Sequence, residues 1–340
     1  MKNEYFCFNE NGKVTLPNTL EIEELLEQEI EPTIFIDSCV CLHIVKLVDY
    51  RKEAVGIDKE KLFYLKEYLS KNPIDLNPIF GLMELSQNGD LFDKNKFWDF
   101  FHRINFFKQI PLKRLRTYRF DFNTDYLILK QPDINKEHSP FYGLDSFFLN
   151  TYACLLKIRE LSLRGISKRF AEQNATDFLN WMSDTLGIIL GVEYRLAMNI
   201  FGGETEFRKM IWLEGKAELI KKKLIGTAWD ITHARFCSNN HFLNKTLERN
   251  LSAYFLTSDS NLYKLLAEYS LTRIFDAGEK MVTNLYNSSF NYPHLGSDFL
   301  DKNNKVMLEL LSDRFNKKVH FDRDKVESII HELEKKNNVA

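Results

Sequence analysis

The 340-residue chain lacks the short patterns that identify several common kinds of site. Its five cysteines are scattered, odd in number and form no Cys-x-x-Cys pair, which argues against a disulfide framework and a structural zinc site. No Gly-x-x-x-x-Gly-Lys phosphate loop occurs. The chemistry of the chain must therefore come from other residue types.

Long apolar runs and an excess of basic charge are also missing. The most apolar stretch, residues 186–192, is followed by Glu193 and Arg195 too soon to span a bilayer. The segment Met1–Phe6 has no apolar signal-peptide core. The net charge of −2 provides no global positive field for a polyanion. We predict a cytoplasmic protein without a membrane partner.

The residues that are present indicate a globular α/β protein. Hydrophobic residues make up 44% and charged residues 28% of the chain, which are ordinary shares. Apolar β-rich runs predict strands at Thr33–Ile36 and Ser252–Thr257. Helical spacing predicts an acidic helix within 21–31 and the helices given next. These cover 58–69, 78–87, 207–224, 262–285, 299–315 and 324–336, with further helices between 91 and 203.

Four carboxylates stand in distinctive local settings. Asp37 ends the first apolar run and Asp259 follows the second, whereas Glu84 lies on a predicted helix. Asp230 stands three residues after Thr227, in a pattern that resembles a capping box opening a helix. Each acid alone could be a helix cap, but an ionised carboxylate is costly to bury without a partner. Acids at the carboxyl edge of a sheet are instead neutralised by a hard cation such as Mg²⁺ or Mn²⁺.

The order strand-Asp37, helix-Glu84, helix-Asp230 and strand-Thr257-x-Asp259 resembles the PIN domain family of metal-dependent nucleases. The resemblance covers residues 33–90 and 215–285, and Ser38 also matches the common Asp-Ser/Thr pair. The acid pattern does not fit two competing site types. Cys39 stands where a haloacid dehalogenase-type phosphatase or a DEDD-type exonuclease would need an acid. The 146 positions between Glu84 and Asp230 exceed those of compact members.

The resemblance implies a mostly parallel sheet flanked by helices, with a large helical insertion and C-terminal helices. It divides the chain into a strand and acidic helix at 1–32, a PIN-like domain at 33–290 with an insertion at about 91–214, and a helical extension at 291–340. It also implies that Asp37, Glu84, Asp230 and Asp259 bind Mg²⁺ or Mn²⁺ and are catalytic. Thr257 would orient a carboxylate or a metal-bound water, and Ser38 would support the site.

The function that this resemblance implies is phosphodiester hydrolysis, with RNA favoured over DNA. A toxin or defence effector held inactive by a protein partner is one form of this hypothesis. A catalytically silent PIN-like module that binds nucleic acid or protein is the alternative. A basic stretch without acids, residues 102–119, could contact phosphates, or it could be a solvated face. Its candidate nucleic-acid-binding residues are Lys113, Arg114, Arg116 and Arg119.

Overall fold

The computed structural model describes residues 5–49, 56–88, 91–126, 144–267, 270–276, 282–287, 292–315 and 321–339. The chain forms two compact units. The first comprises Met1–Tyr142 and Phe236–Tyr263, and the second comprises Gly143–Arg235 and Lys264–Ala340. No helix in the described residues is long and apolar enough to cross a membrane. The predicted domain boundaries stay a prediction.

The strands, in chain order, are β1 (Phe6–Asn9), β2 (Gly12–Lys13), β3 (Glu31–Ile36), β4 (Asp75–Asn77), β5 (Gln87–Asn88), β6 (Leu91–Phe92), β7 (Leu251–Thr257), β8 (Ser270–Asp276) and β9 (Val282–Asn287). The first helices are α1 (Thr19–Glu27), α2 (Ser38–Val48), α3 (Lys59–Lys71), α4 (Ile79–Ser86), α5 (Lys94–Gln109), α6 (Leu112–Thr117) and α7 (Phe122–Asp125). The later helices are α8 (Leu144–Arg164), α9 (Lys168–Trp181), α10 (Gly191–Phe201), α11 (Ala217–Cys237), α12 (Asn240–Leu247), α13 (Ser260–Ala267), α14 (Ser297–Phe315) and α15 (Arg323–Lys336).

The first unit is built on a mixed sheet with the strand order β2-β1-β7-β3-β4 among the described residues. The central strand β3 is parallel to both β7 and β4, and β1 is antiparallel to β7. The apolar runs in β3 and β7 are buried on both faces, as expected for parallel strands covered by helices. Because β3 and β7 run in the same direction, the residues that follow them share one edge of the sheet.

Helices α2, α4 and α5 pack against one another, and α4 also packs against β3. Aromatic contacts fill this core. The ring of Phe35 in β3 lies 5.0 Å from the ring of Phe80 in α4, and Phe8 in β1 lies 5.1 Å from Phe255 in β7. All four rings are 1% exposed or less. The sheet edge that carries the predicted acids is therefore held by a dry, aromatic-rich core.

The second unit is mainly helical. Its α10 is buried along almost its whole length, including the polar residues Glu193 and Arg195. A π-helical turn at Met182–Leu186 precedes α10 and a 3-10 helix at Glu206–Ile211 follows it. Strands β8 and β9 pair as an antiparallel hairpin. The two predicted C-terminal helices are confirmed as α14 and α15.

The α/β class is confirmed, as are the two predicted strands that precede Asp37 and Asp259. The expectation of a mostly parallel sheet holds only for its centre. The N-terminal hairpin β1–β2 extends the sheet with antiparallel pairs. A two-stranded antiparallel ribbon needs only a tight turn to form. Its pairing with a parallel sheet could not be predicted, because it leaves no periodicity signal in the neighbouring strands.

Two predicted helices were wrong. The helix 262–285 ends at Ala267 and gives way to β8 and β9, where Thr272, Ile274, Phe275 and Tyr286 favour strands. The second error concerns the helix 207–224, which was expected to end before another helix opened at Thr227. The 3-10 helix Glu206–Ile211 is separate, and α11 begins at Ala217. Helix α11 then continues through Gly226 and Thr227, because a single glycine costs a helix only about 1 kcal/mol.

Candidate acidic site

Asp37 lies between β3 and α2 and is 1% exposed. It caps α2, because the Val40 N–H donates to its Oδ1 at 2.7 Å. The Thr257 hydroxyl, at the end of the neighbouring strand β7, donates a hydrogen bond to its Oδ2. Both carboxylate oxygens are thus held in fixed directions by two separate elements.

Thr257 joins Asp37 to Asp259. The Asp259 N–H donates to the Thr257 hydroxyl oxygen at 2.9 Å, while that hydroxyl donates to Asp37. The Asp259 Oδ1 accepts from the N–H groups of Asn261 and Leu262 at 2.7 and 3.0 Å, which caps α13. Thr257 therefore positions the Asp37 carboxylate directly.

Glu84 reaches the same site from α4. The residue is half-buried as a whole, but its Oε2 is shielded from solvent and has no hydrogen-bond partner in the part of the chain that the structure describes. Ser38 forms a side-chain hydrogen bond with Glu84. Ser38 thus contacts the helical acid of the site, while Thr257 contacts the strand-end acid.

Gly81 permits the close approach of α4 to this edge. A Cβ built at Gly81 would lie 2.8 Å from the carbonyl carbon and oxygen of Asp37 and 2.6 Å from the Cys41 sulfur. Main-chain atoms cannot move aside as a flexible side chain can. A residue with a side chain at this position would push α4, and Glu84 with it, away from Asp37.

The acids of the site repel one another. Burial raises the pKa of Asp37 to about 6, and the charge of Asp259 contributes, against the hydrogen bonds from Thr257 and Val40 that lower it. Burial also raises the pKa of Glu84 to about 8, with a further contribution from the charge of Asp37. Desolvation is the largest cause in both residues, and mutual repulsion adds to it. This arrangement is unfavourable for a structural cap and favours a cation or a proton at the site.

The donor chemistry of the site fits Mg²⁺ or Mn²⁺, which prefer carboxylate oxygens. Glu84 offers a buried oxygen with no partner among the described residues, and Asp37 offers oxygens already oriented by other groups. No three His, Cys, Asp or Glu residues of the described chain are placed to hold one ion together. The fit is therefore one of donor type and charge.

Asp230 lies in the second unit, within α11 and not at a helix start. The predicted capping-box role is wrong, because the residue stands 13 positions after the first residue of that helix, Ala217. It is half-buried and has an interaction partner in the chain. The first unit gathers Asp37, Glu84 and Asp259, and the part of Asp230 in a shared site stays a prediction.

Within the basic stretch, some of the predicted phosphate-binding residues already have protein partners. Arg114 contacts Asp125 at 2.7 Å and donates to the carbonyl oxygen of Arg119, and Arg116 lies 3.7 Å from Glu67. Lys113 and Arg119 are exposed and form no ion pair with a described residue. The stretch is thus a mixture of structural and uncommitted cations.

Three residues beside the acids were not predicted from the sequence: Gly81, Tyr5 and His43. Tyr5 precedes β1, where burial, followed by the charge of Asp37, raises the pKa of its hydroxyl. Its hydroxyl lies 3.2 Å from Nδ1 of His43 in α2. Only the antiparallel pairing of β1 with β7 places Tyr5 at this edge, and that pairing has no local signature.

No protein-family model, no curated protein and no solved structure matches this chain.

Proposed function

We propose that this protein is a nuclease that hydrolyses phosphodiester bonds with Mg²⁺ or Mn²⁺, and that RNA is its main substrate. The observation that carries the proposal is the convergence of Asp37, Glu84 and Asp259 on one edge of the sheet, where Asp37 and Glu84 have raised pKa values and no described cation neutralises them. The preference for RNA comes from the resemblance of the acid pattern to PIN domains.

Asp37 and Glu84 would hold the ion, with Asp259 contributing through water. A divalent ion supplies an activated water and stabilises charge on the attacking and leaving oxygens. The chain's own contribution is orientation, since Val40 and Thr257 fix the Asp37 carboxylate and Ser38 contacts Glu84. With a pKa of about 8, Glu84 carries a proton at neutral pH, so ion binding should release protons.

A catalytically silent module that binds nucleic acid or protein is the second candidate. It is favoured by the placement of the acids, since no three acids of the described residues lie close enough to hold one ion. Both oxygens of Asp37 also accept hydrogen bonds from the protein. An inhibitory protein partner, as in a toxin or defence effector, would be compatible with the first proposal.

The direct test compares wild type with Asp37→Asn on mixed RNA and DNA, with and without Mn²⁺. We expect Mn²⁺-dependent cleavage of RNA by wild type and at least about a hundredfold loss in the variant, equivalent to about 2.7 kcal/mol in the barrier. Asp93→Asn is the matched control, because Asp93 also caps a helix, α5, through the N–H of Lys96 at 3.0 Å. Its activity should equal that of wild type.

Calorimetry with Mn²⁺ separates the two candidates. A nuclease should bind the ion, gain about 2.7 kcal/mol of stability at a hundredfold excess over the dissociation constant, and lose this gain in Asp37→Asn/Glu84→Gln. Wild type that neither binds Mn²⁺ in the presence of RNA nor cleaves it would be the silent module.

A further inference from the structure

Two aromatic residues lie beside the acids at the same sheet edge. Phe6 in β1 is paired with Thr257, the residue that donates to Asp37. Tyr263 lies one turn into α13, where its N–H donates to the carbonyl oxygen of Asp259 at 3.0 Å. Phe6 is thus linked to Asp37 through Thr257, and Tyr263 is linked to Asp259 through its main chain.

The two rings are stacked, with centroids 4.6 Å apart and an angle of 19° between their planes. Lys61 lies 5.7 Å from the ring of Phe6, and Lys13 lies 5.9 Å from the ring of Tyr263. The attraction between a cation and the aromatic face below it is weak at an exposed site, about 0.5–1 kcal/mol. We call this group of four side chains the ring platform.

The ring platform differs from the aromatic packing of the core. Phe8 and Phe255, two residues along the same pair of strands, are 1% and 0% exposed. Phe6 and Tyr263 are only half-buried, so part of each residue is in contact with water. An aromatic pair that is only partly buried next to a polar site is typical of a binding surface.

The lysines of the platform contact aromatic rings, and no described carboxylate pairs with them. Neither Lys13 nor Lys61 forms an ion pair with any residue that the structure describes, in contrast to Arg114 and Arg116. An uncommitted cation can neutralise a phosphate without first losing a protein partner. The rings match the base of a nucleotide that is not base-paired, and the lysines match its phosphates.

We propose that Phe6, Tyr263, Lys13 and Lys61 bind an unpaired nucleotide of single-stranded nucleic acid. Its base would stack on a ring face that the lysine leaves in order to contact a neighbouring phosphate, because the cation–π contact it gives up is weak. The inference rests on the proposed function and adds to it a substrate class, because a base inside a duplex cannot stack on a protein ring. The platform would place the phosphates of a single strand beside Asp37 and Asp259.

The test measures binding without cleavage, by fluorescence anisotropy of a short labelled oligouridine with the full chain in EDTA. Tyr263→Leu keeps apolar volume and removes the ring, and it should weaken binding by about fivefold or more. Lys13→Gln/Lys61→Gln should lower the salt slope of log K by about 1.4, or about 0.7 for each phosphate contact. A duplex of the same length should bind more weakly to wild type and equally to wild type and Tyr263→Leu.

Tyr118→Leu compares the ring platform with the basic stretch. Tyr118 is an exposed tyrosine of that stretch, with Lys59 lying 5.0 Å from the centre of its ring. Because the basic stretch is itself a candidate phosphate contact, Phe321→Leu is the second control, since Phe321 is an exposed aromatic residue outside the ring platform and the basic stretch. Its replacement should leave binding unchanged. The inference is overturned if Tyr263→Leu binds like wild type, if Phe321→Leu weakens binding as much as Tyr263→Leu, or if wild type does not bind the oligouridine. Cleavage is assayed separately with Mn²⁺, so the platform can fail while the nuclease proposal stands, and the reverse.

Discussion

The two units of the chain treat buried carboxylates in opposite ways. In the second unit, Glu193 is fully buried and accepts hydrogen bonds from Arg235 and from the Thr151 hydroxyl. Glu334 in the same unit accepts from Tyr152 and lies 3.0 Å from Lys221. In the first unit, Asp37 and Glu84 are close to other acids, and the cause of their raised pKa values is burial together with this repulsion.

The difference separates structural acids from acids that serve a site. A buried carboxylate that meets an arginine is satisfied within the fold, so its environment requires nothing further from a ligand. Buried carboxylates that meet one another are held together at a cost, because the surrounding packing over-determines their positions. Removing one charge should therefore change stability in opposite directions. It should destabilise the second unit and stabilise the first.

The largest effect is expected for Arg235→Ala. It leaves Glu193 charged, fully buried and without its cation, and breaking a buried pair in this way costs about 3–5 kcal/mol. Chemical denaturation should show this loss, whereas Glu193→Gln/Arg235→Met should regain most of it because no charge remains to be buried. A loss below about 1 kcal/mol in Arg235→Ala would show that the pair does not hold the second unit together.

The next largest effect is expected for Glu84→Gln, where removal of a charge should stabilise the protein at high pH. The folded-state pKa of Glu84 is raised from 4.5 to about 8, so the folded protein binds this proton more tightly than the unfolded chain. The resulting stability is fully present below pH 4.5 and is lost as pH rises through about 8, and Asp37 acts in the same direction between 3.8 and about 6. Without metal, Glu84→Gln should therefore become more stable than wild type as pH rises.

The free energy of unfolding of Glu84→Gln relative to wild type should be about 2–3 kcal/mol higher at pH 8 than at pH 4.5. This is less than the full pKa shift would give, because structural adjustment partly relieves the repulsion from Asp37. It is measured by urea denaturation in EDTA at both pH values. Asp37→Asn/Glu84→Gln should show the flattest pH profile. Equal pH profiles for wild type and Glu84→Gln would contradict the difference drawn between the two units.

A smaller effect is expected for Gly81→Ala, which tests how the first unit brings its acids together. Alanine in a helix is normally favoured over glycine by about 1 kcal/mol, but here the added Cβ meets the main chain of Asp37 at 2.8 Å. Overpacking costs about 1–3 kcal/mol, so the net change should be a loss of about 1–2 kcal/mol. Gly296→Ala, whose Cβ would meet nothing closer than 3.9 Å, should change thermal stability by less than about 1 kcal/mol. Stabilisation by Gly81→Ala would show that α4 has room to approach Asp37 with a side chain.

The predictable part of the candidate site is the part with a local signal. The strands before Asp37 and Asp259 are continuous apolar runs, and the helix of Glu84 is bounded by Pro78 and by Asn88-Gly89, so these three positions were placed on the right elements. Contacts between distant segments left no such signal. The pairing of Phe6 with Thr257, which places Tyr5 and the ring platform beside the acids, joins residues that are 251 positions apart in the sequence. Asp230 was misplaced because its local pattern fits a helix start that the continuous packing of α11 overrides.

The smallest effect is expected in the basic stretch, where the same contrast between committed and uncommitted charge applies. Arg114 joins α6 to α7 through Asp125 and the carbonyl oxygen of Arg119, so Arg114→Ala should cost about 0.5–1 kcal/mol of stability. It should leave the salt dependence of oligouridine binding unchanged, because a cation already paired within the protein releases no counterion from the nucleic acid. Lys113→Ala/Arg119→Ala removes two exposed cations without described acidic partners and should cost almost no stability. A lower salt slope in this double variant would extend the nucleic-acid contact into the basic stretch, and a lower slope in Arg114→Ala alone would show that the pair with Asp125 opens when nucleic acid binds.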